Sequence, residues 1–276
     1  MIQNRNSYIP YKMIVKKTAG LSPMVKSLVL EFDNQKDAKG FLFEPGQFIF
    51  VSVLGFGESV LTITSAKHDL PRIEIAVRSV GNNTRALHRL HAGDCVWISD
   101  AHGNFFDLQK MAGKEVLVVA GGIGLAPLRS LIRTIGKDPL IVGKTKILVG
   151  AKTPQDFIFK ADLKKWQEFA EVVLTVDKGD DDWSGHVGKV TDCLKKIQIE
   201  KGAVAILCGP PTMFEPTIRK LEKFELEDKN IYLMLERRMK CGMGKCQHCT
   251  CGDQYVCLDG PTFTWKEIKD NWEVFA

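Results

Sequence analysis

Two hydrophobic patterns divide the chain. In its first hundred residues, FIFVSVLG (48–55) and RIEIAVRSVG (72–81) alternate apolar and polar positions and are rich in β-branched and aromatic residues. This period is typical of strands with one buried face. The turn-forming stretches EPGQ (44–47) and HDLP (68–71) precede these two runs. The pattern predicts a small antiparallel β-barrel of Greek-key type, although a β-sandwich would fit nearly as well. One helix is predicted in this region, from an N-cap at Asn83 to Gly93.

From residue 114 onwards the apolar runs become short and continuous, which is typical of strands that are buried on both faces. Four such runs occur, each followed by a helical pattern: EVLVVAGG, TKILVGA, EVVLTVD and AVAILCGPP. This βαβα order predicts a doubly wound parallel sheet, with the domain boundary at residues 108–113.

Composition narrows the class of protein. The 276 residues are 45% hydrophobic and 26% charged, which is typical of a globular chain. The net charge of +5 comes from Lys and Arg scattered among Asp and Glu, which favours a solvated surface over a nucleic-acid interface. The first twelve residues carry no apolar core typical of a secretory signal, and the longest nearly apolar run, 116–128, is shorter than the roughly 20 residues of a membrane span. We therefore expect a cytoplasmic protein with reduced thiols and no membrane partner.

The glycines after the first continuous apolar run indicate a nucleotide site. Gly121, Gly122 and Gly124 lie between a predicted strand and a predicted helix, where backbone N–H groups and the helix dipole can hold a pyrophosphate. A tight βα turn whose glycines serve packing alone is the alternative. Cys208 and Lys152 end two other predicted strands, where ligands of open α/β sheets bind. Lys152 could meet a 2′-phosphate, but one lysine leaves the choice between NADH and NADPH open.

Five of the eight cysteines lie between residues 241 and 257. Cys241, Cys246 and Cys249 have the C-x4-C-x2-C spacing of a plant-type [2Fe–2S] site, and Cys251 and Cys257 follow as candidates for the fourth ligand. On spacing alone, a structural zinc site completed by His248 or a later cysteine is the rival.

Several motifs, taken together, resemble those of the ferredoxin–NADP reductase superfamily. They are GGIGLAP (121–127), CGPPTM (208–213), VGNNT (80–84) and GDCVWISDAHGNF (93–105). Within that superfamily, ERRMKCGMGKCQHC and YVCLDGPTF look like the sulfhydrogenase gamma subunit and the electron-transfer subunit of anaerobic sulfite reductase. They look more distantly like the electron-transfer subunit of dihydroorotate dehydrogenase. The resemblance implies an FAD-binding barrel at 1–110, an NAD(P)-binding α/β domain at 111–235 and a [2Fe–2S] module at 236–276.

The resemblance also implies site residues. Thr62 takes the place of the residue whose hydroxyl contacts the flavin, Leu61 that of a stacking aromatic and Ser59 that of an absent arginine. The flavin set is Ser59, Leu61, Thr62, Gly81, Asn83 and Thr84. The nucleotide set is Gly121, Gly122, Gly124, Pro127, Lys152, Cys208, Gly209 and Pro210. Thr62 and Cys208 are the predicted catalytic positions. The cluster ligands are Cys241, Cys246, Cys249 and Cys257, because Cys257 precedes LDGP as the family's fourth ligand does.

The implied activity is hydride transfer from NAD(P)H to FAD, rather than FMN, followed by single-electron steps through the [2Fe–2S] cluster to another redox subunit. A free-standing NAD(P)H diaphorase is the first alternative. A zinc-stabilised interaction module without redox chemistry is the second.

Overall fold

The computed structural model of the protein describes residues 9–271; the outer ends of the first and third predicted domains, 1–8 and 272–276, lie outside them. The first part of the chain forms one antiparallel sheet in the order β4-β3-β6-β1-β2-β5. Its strands are β1 (Tyr11–Ser22), β2 (Val25–Phe32), β3 (Phe48–Val53), β4 (Gly57–Thr62), β5 (Arg72–Arg78) and β6 (Cys95–Ile98). A short helix, α1 (Gln35–Gly40), follows β2.

The two edge strands of this sheet meet. Ile63, directly after β4, forms an antiparallel bridge with Ile75 in β5, and the Thr64 N–H donates to the Glu74 carbonyl oxygen at 2.8 Å. The sheet therefore returns on itself around a core of inward-facing aliphatic and aromatic side chains. This closure satisfies the edge groups that an open sheet would expose.

Helix α2 (Asn82–Arg89) follows β5 and begins earlier in the chain than its sequence pattern predicts. Its N-cap is Gly81, so the prediction of Asn83 as N-cap is wrong. Asn83 is instead the second helical residue, and its side chain is buried because it bonds to the neighbouring strands. The helix ends at Arg89, well before the predicted stop at Gly93.

The second sheet has the order β10-β9-β8-β7-β11-β12-β15 and is parallel from β10 to β12. Its strands are β7 (Val116–Gly121), β8 (Thr145–Ala151), β9 (Glu171–Val176), β10 (His186–Val187), β11 (Val204–Cys208), β12 (Ile231–Met234) and β15 (Thr262–Thr264). Its helices are α3 (Leu108–Met111), α4 (Leu125–Lys137), α5 (Lys160–Trp166), α6 (Val190–Cys193), α7 (Pro211–Lys223) and α8 (Trp265–Ile268). Strands β7 and β11 at the centre are apolar along their whole length, because two hydrophobic clusters cover opposite faces of the sheet.

The cysteine-rich segment is a loop between two paired strands of the second sheet. Strand β12 precedes it, and β15 returns beside β12 in antiparallel register. At the base of the loop the Leu235 N–H donates to the Pro261 carbonyl oxygen at 2.9 Å. A two-strand hairpin, β13 (Thr250–Cys251) and β14 (Gln254–Tyr255), lies within it. Residues 262–264 of the predicted third domain are thus part of the nucleotide-domain sheet. We call residues 236–261 the cysteine loop.

Arg129 in α4 joins the barrel to the second sheet. Its guanidinium donates to Glu74 in β5 at 2.8 Å and to Asp162 in α5 at 2.5 Å. It also lies 4.2 Å from the centroid of the Phe159 ring, within the range of a cation–π contact. Because the Arg129 side chain is only 8% exposed, this ion-pair network fixes the two parts against each other. Among residues 9–271, no helix is both long and apolar enough to cross a bilayer.

Candidate functional site

The cysteine loop gathers four thiols. The Cys246 N–H donates to Cys241 Sγ at 3.4 Å, and the Cys257 N–H donates to Cys249 Sγ at the same distance. Gly242 and Gly244 have positive φ angles of 70° and 72°, and the Gly244 N–H donates to Cys257 Sγ at 3.2 Å. The predicted ligands thus lie together as two pairs, with backbone donors aimed at the sulfurs.

The backbone donors change the acidity of the first thiol. Burial by itself raises the pKa of Cys241, but N–H groups of Cys246, Met243 and Lys245 outweigh that effect and lower the pKa to about 6. Hydrogen bonds to a thiolate stabilise the form that binds metal. Burial raises the pKa of Cys257 to about 12, and the neighbouring Cys249 and Cys241 thiols add to the rise. Thiolates held this close together repel one another, so the group favours binding of a cation that neutralises their negative charge.

Cys251 lies apart from this group. It is buried in β13, in register with Gln254 of β14. Burial raises its pKa, and its charged neighbours are Arg237 and Asp253 rather than the other thiols. His248 is exposed to solvent. Within the described range, no three His, Cys, Asp or Glu side chains converge on a point that would hold a single metal ion.

The predicted nucleotide residues meet at the carboxyl ends of β7 and β11, which are neighbours in the sheet. A Cβ on Gly124 would lie 2.3 Å from the Cys208 carbonyl oxygen, and one on Gly121 would lie 2.9 Å from Pro210 Cδ. Gly122 has a φ of +56°, which disfavours other residues. Glycines therefore allow the two loops to touch, and Gly209 lies in that contact. Pro127 lies in the first turn of α4.

Lys152 is exposed directly after β8, the next strand along. The structure adds two residues that the sequence patterns did not single out. The Asp177 N–H donates to the Ala151 carbonyl oxygen and the Lys178 N–H to that of Lys152, both at 2.9 Å. Asp177 and Lys178 follow β9 at the same edge of the sheet. Their position directly after a predicted strand is the feature by which the sequence could have indicated them.

Cys208 is enclosed at the end of β11, and an acidic residue lies near it. Burial raises the pKa of its thiol far above the ordinary value, and the charge of Glu236 raises it further. The thiol is therefore neutral at physiological pH. Glu236 is exposed and follows β12, the strand beside β11. Sequence reasoning gave Glu236 no role, because the proximity arises from the pairing of two strands distant in the chain.

The predicted flavin residues lie on β4 and α2. Thr62 lies opposite Phe48 of β3, and Leu61 opposite the fully buried Ile49. Directly opposed residues share a face of the sheet, so Leu61 lies on the core side, where it packs partly against the barrel core. Its stacking role stays a prediction.

Asn83 and Thr84 use their side chains within the protein. Asn83 Nδ2 donates to the Val51 carbonyl oxygen and to Ser59 Oγ, both at 2.9 Å. Thr84 Oγ1 accepts from the Gly81 N–H at 2.8 Å. Any contact of this segment with a phosphate would therefore come first from the backbone N–H groups at the start of α2.

Comparison with known proteins adds two family matches. Residues 118–218 match the oxidoreductase NAD-binding domain, and residues 236–269 match the iron–sulfur cluster binding domain of dihydroorotate dehydrogenase B. The gamma subunit of sulfhydrogenase 1 from Pyrococcus furiosus is 31% identical over 97% of this chain and 95% of its own length. A probable dihydroorotate dehydrogenase B electron transfer subunit from Methanocaldococcus jannaschii is 30% identical over 92% and 90%. The chain belongs to the family of these electron-transfer subunits.

Solved structures support the fold of this family. A chain of the NADH-dependent reduced ferredoxin–NADP oxidoreductase superposes with a TM-score of 0.76, at 23% identity, over 95% of this chain and 93% of its own. The cytochrome b5 reductase domain of Ulva prolifera nitrate reductase gives a TM-score of 0.69 over 83% and 98%, at 19% identity. The predicted superfamily and the order of β-sheet, α/β sheet and C-terminal iron–sulfur segment are confirmed.

Proposed function

We propose that the chain is a flavo–iron–sulfur electron-transfer subunit that moves electrons between NAD(P)H, FAD, a [2Fe–2S] cluster and a partner redox enzyme. The observation that carries the proposal is the position of the four paired thiols. They lie in a loop of the nucleotide-domain sheet, and their loop packs against β3 of the barrel through Phe50. The three predicted domains, 1–110, 111–235 and 236–276, would hold FAD, NAD(P)H and the cluster respectively.

The pairing of the thiols supports a two-iron cluster. Cys241 with Cys246, and Cys249 with Cys257, form separate pairs linked by N–H···S bonds. A structural zinc ion needs four ligands around one point, whereas the hydrogen bonds link these thiols two by two. A [2Fe–2S] cluster is held by four thiolates divided between two irons. The glycines at 242 and 244 let the backbone wrap around that group, and the Gly244 N–H, which donates to Cys257 Sγ, would stabilise the more negative charge of the reduced cluster.

In the nucleotide site, the residues of this chain would bind and orient NAD(P)H. The loop of Gly121, Gly122 and Gly124 would accommodate the pyrophosphate beside Gly209 and Pro210, with Pro127 shaping the helix start. Bound FAD supplies the chemistry that accepts two electrons as hydride and releases them singly. Thr62 would contact the flavin from the barrel, and the neutral Cys208 thiol would shape the nicotinamide pocket without acting as a base.

The partner surface would lie beside the cluster. Met243 is 38% exposed and Leu258 is 55% exposed in the cysteine loop, and the exposed cations Lys240 and Lys245 flank Met243 in sequence. Exposed apolar and basic side chains in the loop that carries the cluster ligands suit an acidic redox partner. The named relatives are subunits of sulfhydrogenase and of dihydroorotate dehydrogenase B, which supports a hydrogenase-type complex here. A sulfite-reductase-type partner rests on the sequence motifs alone. All eight cysteines lie among the described residues and none of them forms a disulfide, which suits a reducing cytoplasm.

An anaerobic visible-absorption titration of the reconstituted chain, first with NADH and then with NADPH, tests the proposal. Bleaching of the flavin together with loss of the broad iron–sulfur bands is the expected result, and the more effective nucleotide identifies the donor. Flavin bleaching without an iron–sulfur chromophore would instead indicate a diaphorase, and it would favour zinc as the metal at Cys241, Cys246 and Cys249. Absence of both chromophores would refute the redox function.

A further inference from the structure

Residues 102–104 of the barrel, which we call the clamp segment, touch the cysteine loop near both of its ends. The segment follows β6 and is held to β3 by backbone hydrogen bonds between His102 and Phe48, at 2.8 and 3.3 Å. It is also held by Gln47, whose side-chain amide donates to the Gly103 carbonyl oxygen at 2.8 Å. The clamp segment is therefore a fixed part of the barrel.

His102 meets the loop beside the first cysteine of the thiol group. Its ring stacks on Phe48 with centroids 5.8 Å apart, and it lies edge-on to Phe50 at 5.4 Å. The ring also lies against the backbone of Gly242, the residue after Cys241. A Cβ on Gly242 would lie 2.7 Å from Phe50 and 3.0 Å from His102 Nδ1, so the loop is in close contact with both rings.

Asn104 meets the loop just after the last cysteine of the group. Its Nδ2 donates to the carbonyl oxygens of Asp259 and Thr262, both at 2.7 Å, and its Oδ1 accepts from the Thr262 N–H at 3.0 Å. Its own backbone N–H donates to the Gly260 carbonyl oxygen at 2.5 Å. The side chain thus fixes both sides of the turn that follows Cys257.

Gly103, between His102 and Asn104, allows the clamp segment to approach the cysteine loop closely. It has a φ of +77°, and a Cβ there would lie 2.6 Å from the Gly260 carbonyl oxygen and 2.9 Å from Phe48. Phe48 lies directly opposite Thr62, the residue predicted to contact the flavin. One strand of the barrel, β3, therefore borders the proposed flavin face and carries the contacts to the cysteine loop.

We propose that His102 and Asn104 are positioning residues that fix the cluster relative to the flavin face of the barrel and so set the rate of electron transfer between them. This inference rests on the proposed function. The thiol pairs lie in a loop of the other domain, and the clamp segment ties that loop to the barrel at its first and last ligand. Electron transfer between two centres slows steeply with their separation, so a small displacement of the loop would slow this step and leave the hydride step intact.

The test uses the reconstituted full chain with Asn104→Asp and His102→Phe. Asn104→Asp removes the two donors and keeps the acceptor, whereas His102→Phe keeps an aromatic ring and removes the polar ring nitrogens that face Gly242. Gln167→Glu and His91→Phe, at exposed positions, are the matched controls. Anaerobic stopped-flow with the reducing nucleotide gives separate rates for bleaching of flavin and of cluster. Iron content and the electron paramagnetic resonance spectrum of the reduced cluster report on the cluster itself.

We expect flavin bleaching at the wild-type rate, cluster bleaching slower by at least about tenfold, and a changed cluster spectrum in both variants. Loss of cluster iron from Asn104→Asp, with flavin bleaching retained, would also support the inference. If Asn104→Asp does not fold, His102→Phe and His102→Gln decide the question alone.

Unchanged cluster rates and spectra at full iron content would overturn the inference. Equal slowing of both rates with an unchanged spectrum would also overturn it, since that indicates a general structural role. A wild-type chain that reconstitutes no iron–sulfur chromophore would contradict the proposed function itself, which separates the two failures.

Discussion

Gly124 lies against the carbonyl group of Cys208, so that a Cβ on Gly124 would lie 2.3 Å from that oxygen and 2.6 Å from its carbon. The two residues belong to the loops after β7 and β11, which are adjacent parallel strands. The contact is between backbone atoms, which cannot rotate away as a flexible side chain would. The shape of the proposed nucleotide site therefore depends on the absence of a side chain at Gly124.

Gly124→Ala should force these loops apart. We expect a loss of stability of about 1–3 kcal/mol, the usual cost of overpacking, and weaker binding of NAD(P)H, since its pyrophosphate would lose the close backbone approach. Urea unfolding and a fluorescence titration with the nucleotide measure the two effects. Gly20→Ala in β1, where no atom lies within 4 Å of the added Cβ, is the control. Wild-type binding by Gly124→Ala would contradict the site assignment.

The two candidate fourth ligands should respond differently to replacement by serine. Cys257→Ser should lose most of the cluster iron, because Cys257 lies beside Cys249 and Cys241. Cys251→Ser should retain the iron and lose about 1–3 kcal/mol of stability, since its hydroxyl would be buried in an apolar site. Iron and sulfide analysis after reconstitution measures the difference. Retention by Cys257→Ser together with loss from Cys251→Ser would reverse the assignment.

The ion-pair network at the domain junction should contribute strongly to stability. Arg129→Met would leave Glu74 and Asp162 without their cation in a largely buried site, and we expect a loss of about 3 kcal/mol. Arg219→Met, which removes an exposed pair with Glu215, should change stability by less than about 1 kcal/mol. Chemical denaturation of both variants makes the comparison. Equal effects would show that the Arg129 network adds nothing beyond a surface pair.

The stability of the protein should depend on Cys208 at high pH. Burial, and secondarily Glu236, raises the pKa of the folded thiol above the ordinary 9.0. The unfolded chain therefore releases this proton first, and the stabilisation present below pH 9.0 is lost as the pH rises further. One proton corresponds to about 1.4 kcal/mol per pH unit. Urea unfolding between pH 8 and 10 should show a steeper decline for wild type than for Cys208→Ala, and parallel curves would refute the shift.

The local patterns of the sequence determined the elements and the family. Continuous apolar runs predicted strands β7, β8, β9 and β11, because a strand covered on both faces carries mostly apolar side chains. The glycines at 121–124 and the spacing from Cys241 to Cys249 predicted two candidate sites, because each is built mainly from residues that are close in the chain. Relations between residues that are close in the chain can be recognised from the sequence without knowledge of the fold.

Only the tertiary structure decided which distant residues meet. Asn104 bonds to Thr262 across 158 positions, and Glu236 approaches Cys208 because β12 lies beside β11. The structure also placed Cys257, rather than Cys251, with the other thiols, and turned the side chains of Asn83 and Thr84 into the protein. Such relations depend on strand order and on which face of an element is buried. No local pattern contains them, because the energies that select them come from packing between segments that the sequence keeps far apart.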